Sequence, residues 1–589
     1  MRQISGTLKN TMDNISLTFF ENGIKTHKIV KYAGRPFRIA LSGDGFTEAG
    51  MEISGDMGFV AQTEGVKEGS STFFDFPEIP RGLYRFSIKA KGRDGGIFTY
   101  ESKILVVDNL YKTITPPRGI IYHIFVDRFA KGGSVITRPD AIYNQSGRIT
   151  QYPEHPGDYV ENNEFFGGTI YGIIDKLDYI SSLNTEWLYL SPVFKAYSNH
   201  KYDVGDFLQV DEMFGGDEAL RLLIDECHKR GIKVILDGVF NHVGRDSVYF
   251  DYKNLYGGAY HNKDSRYREW FEICDDGTYD CWWGITNLPK IKKIKSYRDF
   301  ICKRVIPKYM NMGLDGWRLD VVDEYDNDFL EEITSATKGI NPDAVIIGEV
   351  WEDVTEKVAY SQRKSYFYGA ALDSATNYPV REGIIKYFQT GNAVFLRDVL
   401  ENQLKYYPDE KLFLMLNMLG SHDTVRIINI LSGYDGNDMP GSYLSKLRLT
   451  PEQREKGKRL FLAAYTLLAC LPGIPAIYYG DEAGLEGWRD PFNRQMFPWG
   501  KEDKEITDYI RKINAIRFNS KALTEGKTHI IQSNDGFFAF EREYGNYGKI
   551  FCVCNMSEKY IYHVNGGYVP LNLAENNVRP GQTGIFGVC

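Results

Sequence analysis

The stretch Gly313-Leu-Asp-Gly-Trp-Arg-Leu-Asp-Val-Val-Asp-Glu324 sets a cationic side chain two residues from a carboxylate inside a short apolar run. On a strand, residues i and i+2 share a face, so Arg318 and Asp320 point the same way. An Arg beside an Asp is ordinarily a structural salt bridge. It also holds the carboxylate ionised and fixes its direction, as a nucleophile requires. Three further runs end in polar residues: Ala344-Val-Ile-Ile-Gly-Glu349-Val-Trp351, Leu419-Gly-Ser-His422-Asp423-Thr424 and Val234-Ile-Leu-Asp237-Gly-Val-Phe-Asn241-His242. One such strand end carries little weight. Four in one chain point to a parallel barrel, which gathers its chemistry where its strands stop.

Outward from these runs, strand and helix alternate. Strand patterns fall at 120–126, 186–190, 233–237, 316–321, 345–350, 369–373, 413–418 and 476–479. Among the helices between them, Ala219 to Arg230 lines Leu220, Leu223, Ile224 and Cys227 along one stripe and stops at Gly231. Eight strands so separated predict an α/β chain with a (β/α)8 TIM barrel over residues 117–522. A long excursion after strand 3, about 243–295, is rich in Tyr, Trp, Asp and Gly, and long excursions from a barrel top tend to be functional. Its Trp282 and Trp283 either line the cleft or form one core anchor and one lid residue.

Residues 1–112 and 523–589 read differently, as short β runs between turn signals such as Ser42-Gly-Asp-Gly and Gly92-Arg-Asp-Gly-Gly. Each predicts a β-sandwich domain flanking the barrel. The first is expected to bind glucan or to build a dimer interface, the second to be structural.

Lys and Arg number 70 against 78 Asp and Glu, a net charge of −8 with no basic run, which argues against nucleic acid as a partner. The 40 Tyr, 35 Phe and 8 Trp supply flat rings for stacking on sugar faces as well as for cores. The most apolar window, Leu460 to Ile477, is broken by Pro472, Gly473 and Pro475 and reads as helix, turn and buried strand, so no membrane span is expected. The first ten residues lack an apolar run of leader length, and a cytoplasmic protein with free thiols is expected, with a Cys274–Cys281 bridge as the alternative.

In content, order and spacing these blocks resemble the short sequence regions of the α-amylase superfamily, glycoside hydrolase family 13, over roughly residues 117–500. The layout is most similar to the cyclomaltodextrinase, neopullulanase and maltogenic amylase branch. The resemblance implies Asp320 as nucleophile, Glu349 as general acid/base and Asp423 as the carboxylate that stabilises the transition state, with Arg318, His242 and His422 beside them. Ser198-Asn-His-Lys-Tyr-Asp203 is similar to the motif whose Tyr stacks on the attacked glucose, which implies Tyr202 in that place and His200 behind it. Gly487-Trp-Arg-Asp-Pro-Phe-Asn-Arg494 resembles the late motif that binds the sugar at the blind end, implying Asp490 and Arg494. Asp237 is expected to bond Arg318, and Asn241 matches one calcium ligand of secreted α-amylases. Two departures stand out. Lys292 replaces the Asn of the branch's Met-Pro-Lys-Leu-Asn motif, and Glu324 stands where the calcium-binding enzymes have His. No cofactor is therefore expected to be required, although the resemblance leaves Ca²⁺ open.

Environment suggests the same division of labour: Arg318 lowers the Asp320 pKa, while the apolar neighbours of Glu349 favour its neutral form. The expectation is a retaining hydrolase of α-1,4 links in maltodextrins, cyclodextrins or pullulan, acting as a homodimer. Transglycosylation or α-1,6 debranching on the same scaffold is the alternative, and a non-catalytic glucan-binding homologue a further one.

Overall fold

The computed structural model describes residues 15–588 except 44, 45, 56, 57, 59, 94, 109, 134, 135, 435, 437 and 547. The leader reading of residues 1–10, the turn positions Asp44, Gly45 and Asp94, and Cys589 lie outside the described residues.

Eight parallel strands alternate with helices: β1 (Ile120–Ile124), β2 (Thr185–Leu190), β3 (Lys233–Gly238), β4 (Gly316–Leu319), β5 (Val345–Gly348), β6 (Ser374–Ala375), β7 (Leu416–Met418) and β8 (Ile474–Tyr478). They pair in the order β6-β5-β4-β3-β2-β1-β8-β7, and a bridge between Thr376 and Leu416 brings the two ends together. The inward set is apolar at one level: Ile121, Trp187, Ile235, Val345, Ile347, Leu416 and Ile474 share one cluster. Gly316 belongs there because a Cβ on it would meet the Val345 carbonyl at 2.3 Å.

The sixth strand corrects the expectation of 369–373. The Asp373 amide donates to the Ile346 carbonyl (2.9 Å), but the Ile346 amide turns to the Asp373 carboxylate (3.0 Å), which also meets Lys338 (2.9 Å), and the ladder is formed from Ser374. Residues 365–370 instead cluster with the N-terminal unit.

That unit holds the described residues up to Tyr111 together with Ser365–Ala370 and Glu401–Pro408. Two five-stranded sheets form it, antiparallel but for the pairing of Val30–Tyr32 with Ile97–Val107. Phe37, Ile39, Ile53, Phe74, Ile88 and Ile104 fill the space between the sheets.

The remaining residues form a second unit, which contains the barrel and a C-terminal five-stranded antiparallel sheet. The sheet is tied to the barrel's helix Pro451–Cys470: Arg542 Nη1 donates to the Cys470 carbonyl (2.7 Å) and the Thr583 hydroxyl to that of Ala463 (2.8 Å). The described cysteines are free thiols, Cys274 and Cys281 included. No helix among the described residues is long and apolar enough to cross a membrane.

Candidate active site

Strand alternation carries the apolar interior up into a polar rim. Two residues beyond Ile235 comes Asp237, two beyond Gly316 come Arg318 and then Asp320, and two beyond Ile347 comes Glu349. Register sets Asp237 opposite Arg318, and the Glu349 amide donates to the Leu319 carbonyl (3.0 Å). Arg318 Nη1 therefore donates to both oxygens of Asp237 (2.9 and 3.0 Å) and to Asp320 Oδ1 (2.8 Å), while Nη2 lies 3.1 Å from Glu349 Oε2. All four side chains are buried.

The lowering expected for Asp320 does not hold. Burial pushes the Asp320 carboxyl well up from its ordinary value; Arg318 opposes the shift, and Glu349 and Asp237 add to it. The guanidinium that was to lower it is divided among three carboxylates. Glu349 lies among three N–H donors rather than in an apolar pocket. Besides Arg318 these are Trp351 Nε1 (3.1 Å to Oε1) and the Val321 amide (2.9 Å to Oε2). Val321 reaches it from φ +41°, a left-handed conformation that strains a β-branched residue. Trp351 is held by stacking on Tyr378, with centroids 3.6 Å apart.

A continuous run of contacts leads from Asp237 to the motif near residue 490. The Tyr202 hydroxyl donates to Asp237 Oδ2 (2.9 Å) and meets His422 Nε2 (2.5 Å), with the two rings stacked at 5.1 Å. His422 Nε2 is 3.2 Å from Asp423 Oδ2, and Asp423 keeps 32 % of its side chain open. Arg494 Nη2 stands 3.9 Å from Asp423, its Nε donates to the His422 carbonyl (3.1 Å), and its Nη1 pairs with Asp490 (2.9 Å). His200 is joined less directly, accepting the Tyr202 amide on Nδ1 (3.1 Å).

Burial pushes His422 and His200 well below the ordinary histidine value, with Arg494 adding to both. It pushes His242 down to about 3, with Lys293 adding. Neutral rings each offer one donor and one acceptor. Since the Tyr202 hydroxyl donates to Asp237, its oxygen can only accept from His422, which places the His422 proton on Nε2. His242 stands apart from the carboxylate network. It stacks on Trp282 at 5.4 Å, and its buried Nε2 has no hydrogen-bond partner in the protein. Trp283 beside it is 81 % exposed.

Asn241 is fully buried and does not face a metal site. Lys293 Nζ donates to its side-chain oxygen (2.5 Å) and to its carbonyl (3.2 Å). Burial and the nearby Lys290 push the Lys293 ammonium down to about 7. Glu324 pairs with Lys290 (2.8 Å) and accepts the Tyr360 hydroxyl. Calcium needs six or more oxygens; among the described residues no three acidic, His or Cys side chains cluster to hold a metal. The residues present do not fit the ion.

Some contributors escaped the sequence reading. Tyr189 donates to Asp237 Oδ2 (2.6 Å), and His123, stacked on Tyr189 at 4.1 Å, shares Nε2 with the Ser191 hydroxyl (2.9 Å). A signal existed for His123, which lies two residues beyond the inward Ile121, the same step that singles out Asp237. Nothing in the sequence marked Lys293 or the Val321 amide.

The family model for the α-amylase catalytic domain matches residues 123–299 and 287–524. The chain is 36% identical over 477 residues to an amylopullulanase of Thermoanaerobacter thermohydrosulfuricus, a match covering 72% of this chain and 31% of that one. It spans about a third of the length of the amylopullulanases it matches. To a cyclomaltodextrinase of Thermoanaerobacter pseudethanolicus it is 30% identical over 469 residues, covering 76% of this chain and 71% of the relative. A solved cyclomaltodextrinase superposes with TM-score 0.68 at 26% identity, covering 97% of each chain. With a barrel rim of carboxylates in this order, and matches that run through nearly all of that barrel, the chain belongs to the α-amylase family, glycoside hydrolase family 13.

Proposed function

We propose that the protein is a retaining α-glucan hydrolase that cleaves α-1,4-glucosidic bonds of maltodextrins, cyclodextrins or pullulan by double displacement. The supporting observation is that one guanidinium, Arg318, lies within hydrogen-bonding distance of Asp320 and Glu349 at once. Carboxyl groups that share a cation stand close, as a retaining pair does at roughly 5–5.5 Å rather than the roughly 6.5–9.5 Å of an inverting pair.

In this scheme an Asp320 oxygen attacks the anomeric carbon while Glu349 delivers a proton to the departing glycosidic oxygen. Glu349 then takes a proton from the water that attacks the same carbon and releases Asp320. Which carboxylate plays which part follows from their places in the family's motifs. Asp423, its Oδ2 3.2 Å from His422 Nε2, faces the positive charge that builds on the ring. Tyr202 stacks beneath that ring, His242 Nε2 takes one of its hydroxyls, and Asp490 with Arg494 holds the sugar beyond it.

The relatives include cyclomaltodextrinases and amylopullulanases. The amylopullulanase matches favour a second reading in which α-1,6 links are cut as well. Pullulan, maltotriose units joined by α-1,6 links, separates the two. A trisaccharide that retains an α-1,6 link is expected from α-1,4 cleavage, and maltotriose from α-1,6 cleavage. The first-formed product should be the α-anomer by NMR, and initial β-anomer would rule out double displacement.

A further inference from the structure

We propose that the Lys293 side chain stands in for a metal ion at this site: it gathers the oxygens of Asn241, thereby fixes His242 on the rim of the cleft, and closes the position to calcium. Lys293 is then a positioning residue. Its effect on turnover rests on the proposed function, whereas the exclusion of a cation does not.

Asn241 follows β3 and carries a fully buried amide that must find partners. Its carbonyl accepts the Ile291 amide (3.0 Å) and Lys293 Nζ (3.2 Å), and its side-chain oxygen accepts the same Nζ (2.5 Å). The run 289–293 lies antiparallel along 241–243. The Val243 amide donates to the Pro289 carbonyl (3.1 Å), and His242 bridges to Lys290. Lys293 pins the open end of that pairing. His242 is thus held from two directions by one excursion, through its backbone by 289–293 and across its ring face by Trp282. The ring has no protein hydrogen bond at Nε2, and its Nδ1 lies 3.5 Å from Asn241 Nδ2, so the amide that Lys293 holds also meets the ring itself. Ammonium and neutral amine both have N–H groups to give to the two Asn241 oxygens, so the tie does not depend on the charge of the lysine.

The surroundings also oppose a divalent ion. Lys293 lines a cavity of about 290 Å³ that also presents Lys290, Lys292 and Lys364 alongside Glu272, Asp280, Glu324 and Asp326. Three of these acids are already paired: Glu324 with Lys290 (2.8 Å), Glu272 with Lys292 (3.1 Å) and Asp326 with Arg298 (2.5 Å). A calcium ion seeking Asn241 would displace a nitrogen 2.5 Å from the oxygen it needs, and would still lack most of its six or more ligands.

Lys293→Met keeps the aliphatic stem and removes every N–H, and Lys293→Arg keeps donors at the same place. On a maltodextrin, Lys293→Met is expected to lower kcat/KM at least about tenfold, mainly through kcat, and Lys293→Arg to stay within about threefold of wild type. The full-length wild-type protein, dialysed against EDTA, is expected to keep its Tm within about 1 °C and its turnover within about twofold when calcium is returned, and calorimetric titration with calcium should show no saturable binding. Lys293→Met with wild-type kcat/KM would overturn the positioning role. Calcium that restores turnover or raises Tm after chelation would overturn the exclusion. If Lys293→Met does not fold, Lys293→Arg losing kcat like a null variant counts against the tie, and the chelation arm still decides the cation. A wild-type protein inactive on every α-glucan would refute the proposed function and leave the calorimetric result to stand.

Discussion

Asp237, Asp320 and Glu349 around Arg318 place more negative than positive charge among four buried side chains. Burial raises the Asp237 and Asp320 carboxyls against the pull of Arg318 and so favours retaining a proton there. A two-carboxylate mechanism starts with one such proton. Because burial raises Asp320 where Arg318 alone would lower it, kinetics is the test of the roles that the family's motifs give. α-Maltosyl fluoride supplies a leaving group that departs without protonation. Glu349→Gln is expected to lose about 10²–10⁴ in kcat on maltotriose, where proton delivery is needed, yet still to release fluoride from α-maltosyl fluoride in a burst. Asp320→Asn should lose both reactions, and the opposite pattern would reverse the assignment. Asp237 and Glu349 were legible as polar residues two steps past an apolar one, and Asp320 as the next position on that face after Arg318. Val321 was not, since a β-branched residue argues against the left-handed conformation that brings its amide to Glu349.

The strands β3, β4 and β5 were read nearly to their ends because apolar runs bounded by polar residues are a local pattern. β6 was misplaced because two residues carry too little pattern to locate, and because the Ile346 amide takes the Asp373 carboxylate in place of a backbone carbonyl. The end of β8 carries a titration that no sequence pattern marks. Glu482 is fully buried; its Oε1 accepts the hydroxyls of Tyr122 (2.5 Å) and Tyr179 (3.0 Å), and its Oε2 accepts the Gly480 amide (2.8 Å). Burial, opposed by these bonds, pushes its carboxyl up from 4.5 to about 7. A raised folded value means that the native state holds its proton longer than the unfolded chain does. Stability from this group is full below about pH 4.5, falls as pH rises through about 7, and is lower by about 3 kcal/mol above that. Glu482→Gln removes the dependence. Its Tm relative to wild type is expected to improve by a few degrees between pH 5 and pH 8, and a constant difference across that range would show that Glu482 does not titrate there.

Two compact units make up the described chain. We propose that the protein assembles as a two-fold dimer, the commonest closed arrangement for a soluble enzyme, with the N-terminal β unit supplying the interface and narrowing the partner's cleft. Light scattering at micromolar concentration is expected to give the mass of two copies for the full chain and of one copy after removal of residues 1–111. Activity on starch relative to β-cyclodextrin should rise with the truncation. A monomeric full-length protein whose substrate ratio does not change on truncation would dispose of the dimer and of the lid together.

The barrel, the order of its carboxylates and the shared face of Arg318 and Asp320 could be had from sequence because each follows from a period of two along a strand and from where that strand stops. Both are properties of a few consecutive residues. Folding alone decided what those side chains meet. Lys293 lies 52 positions from Asn241, and only the return of the excursion after β3 puts its nitrogen on that buried amide. Whether Asp320 is held ionised was likewise beyond a local pattern. Burial and two further carboxylates, brought in by β3 and β5, outweigh the Arg318 that stands beside it in the chain. Hydrogen-bond partners and protonation depend on groups that approach from other strands, and such approach is a property of the folded molecule.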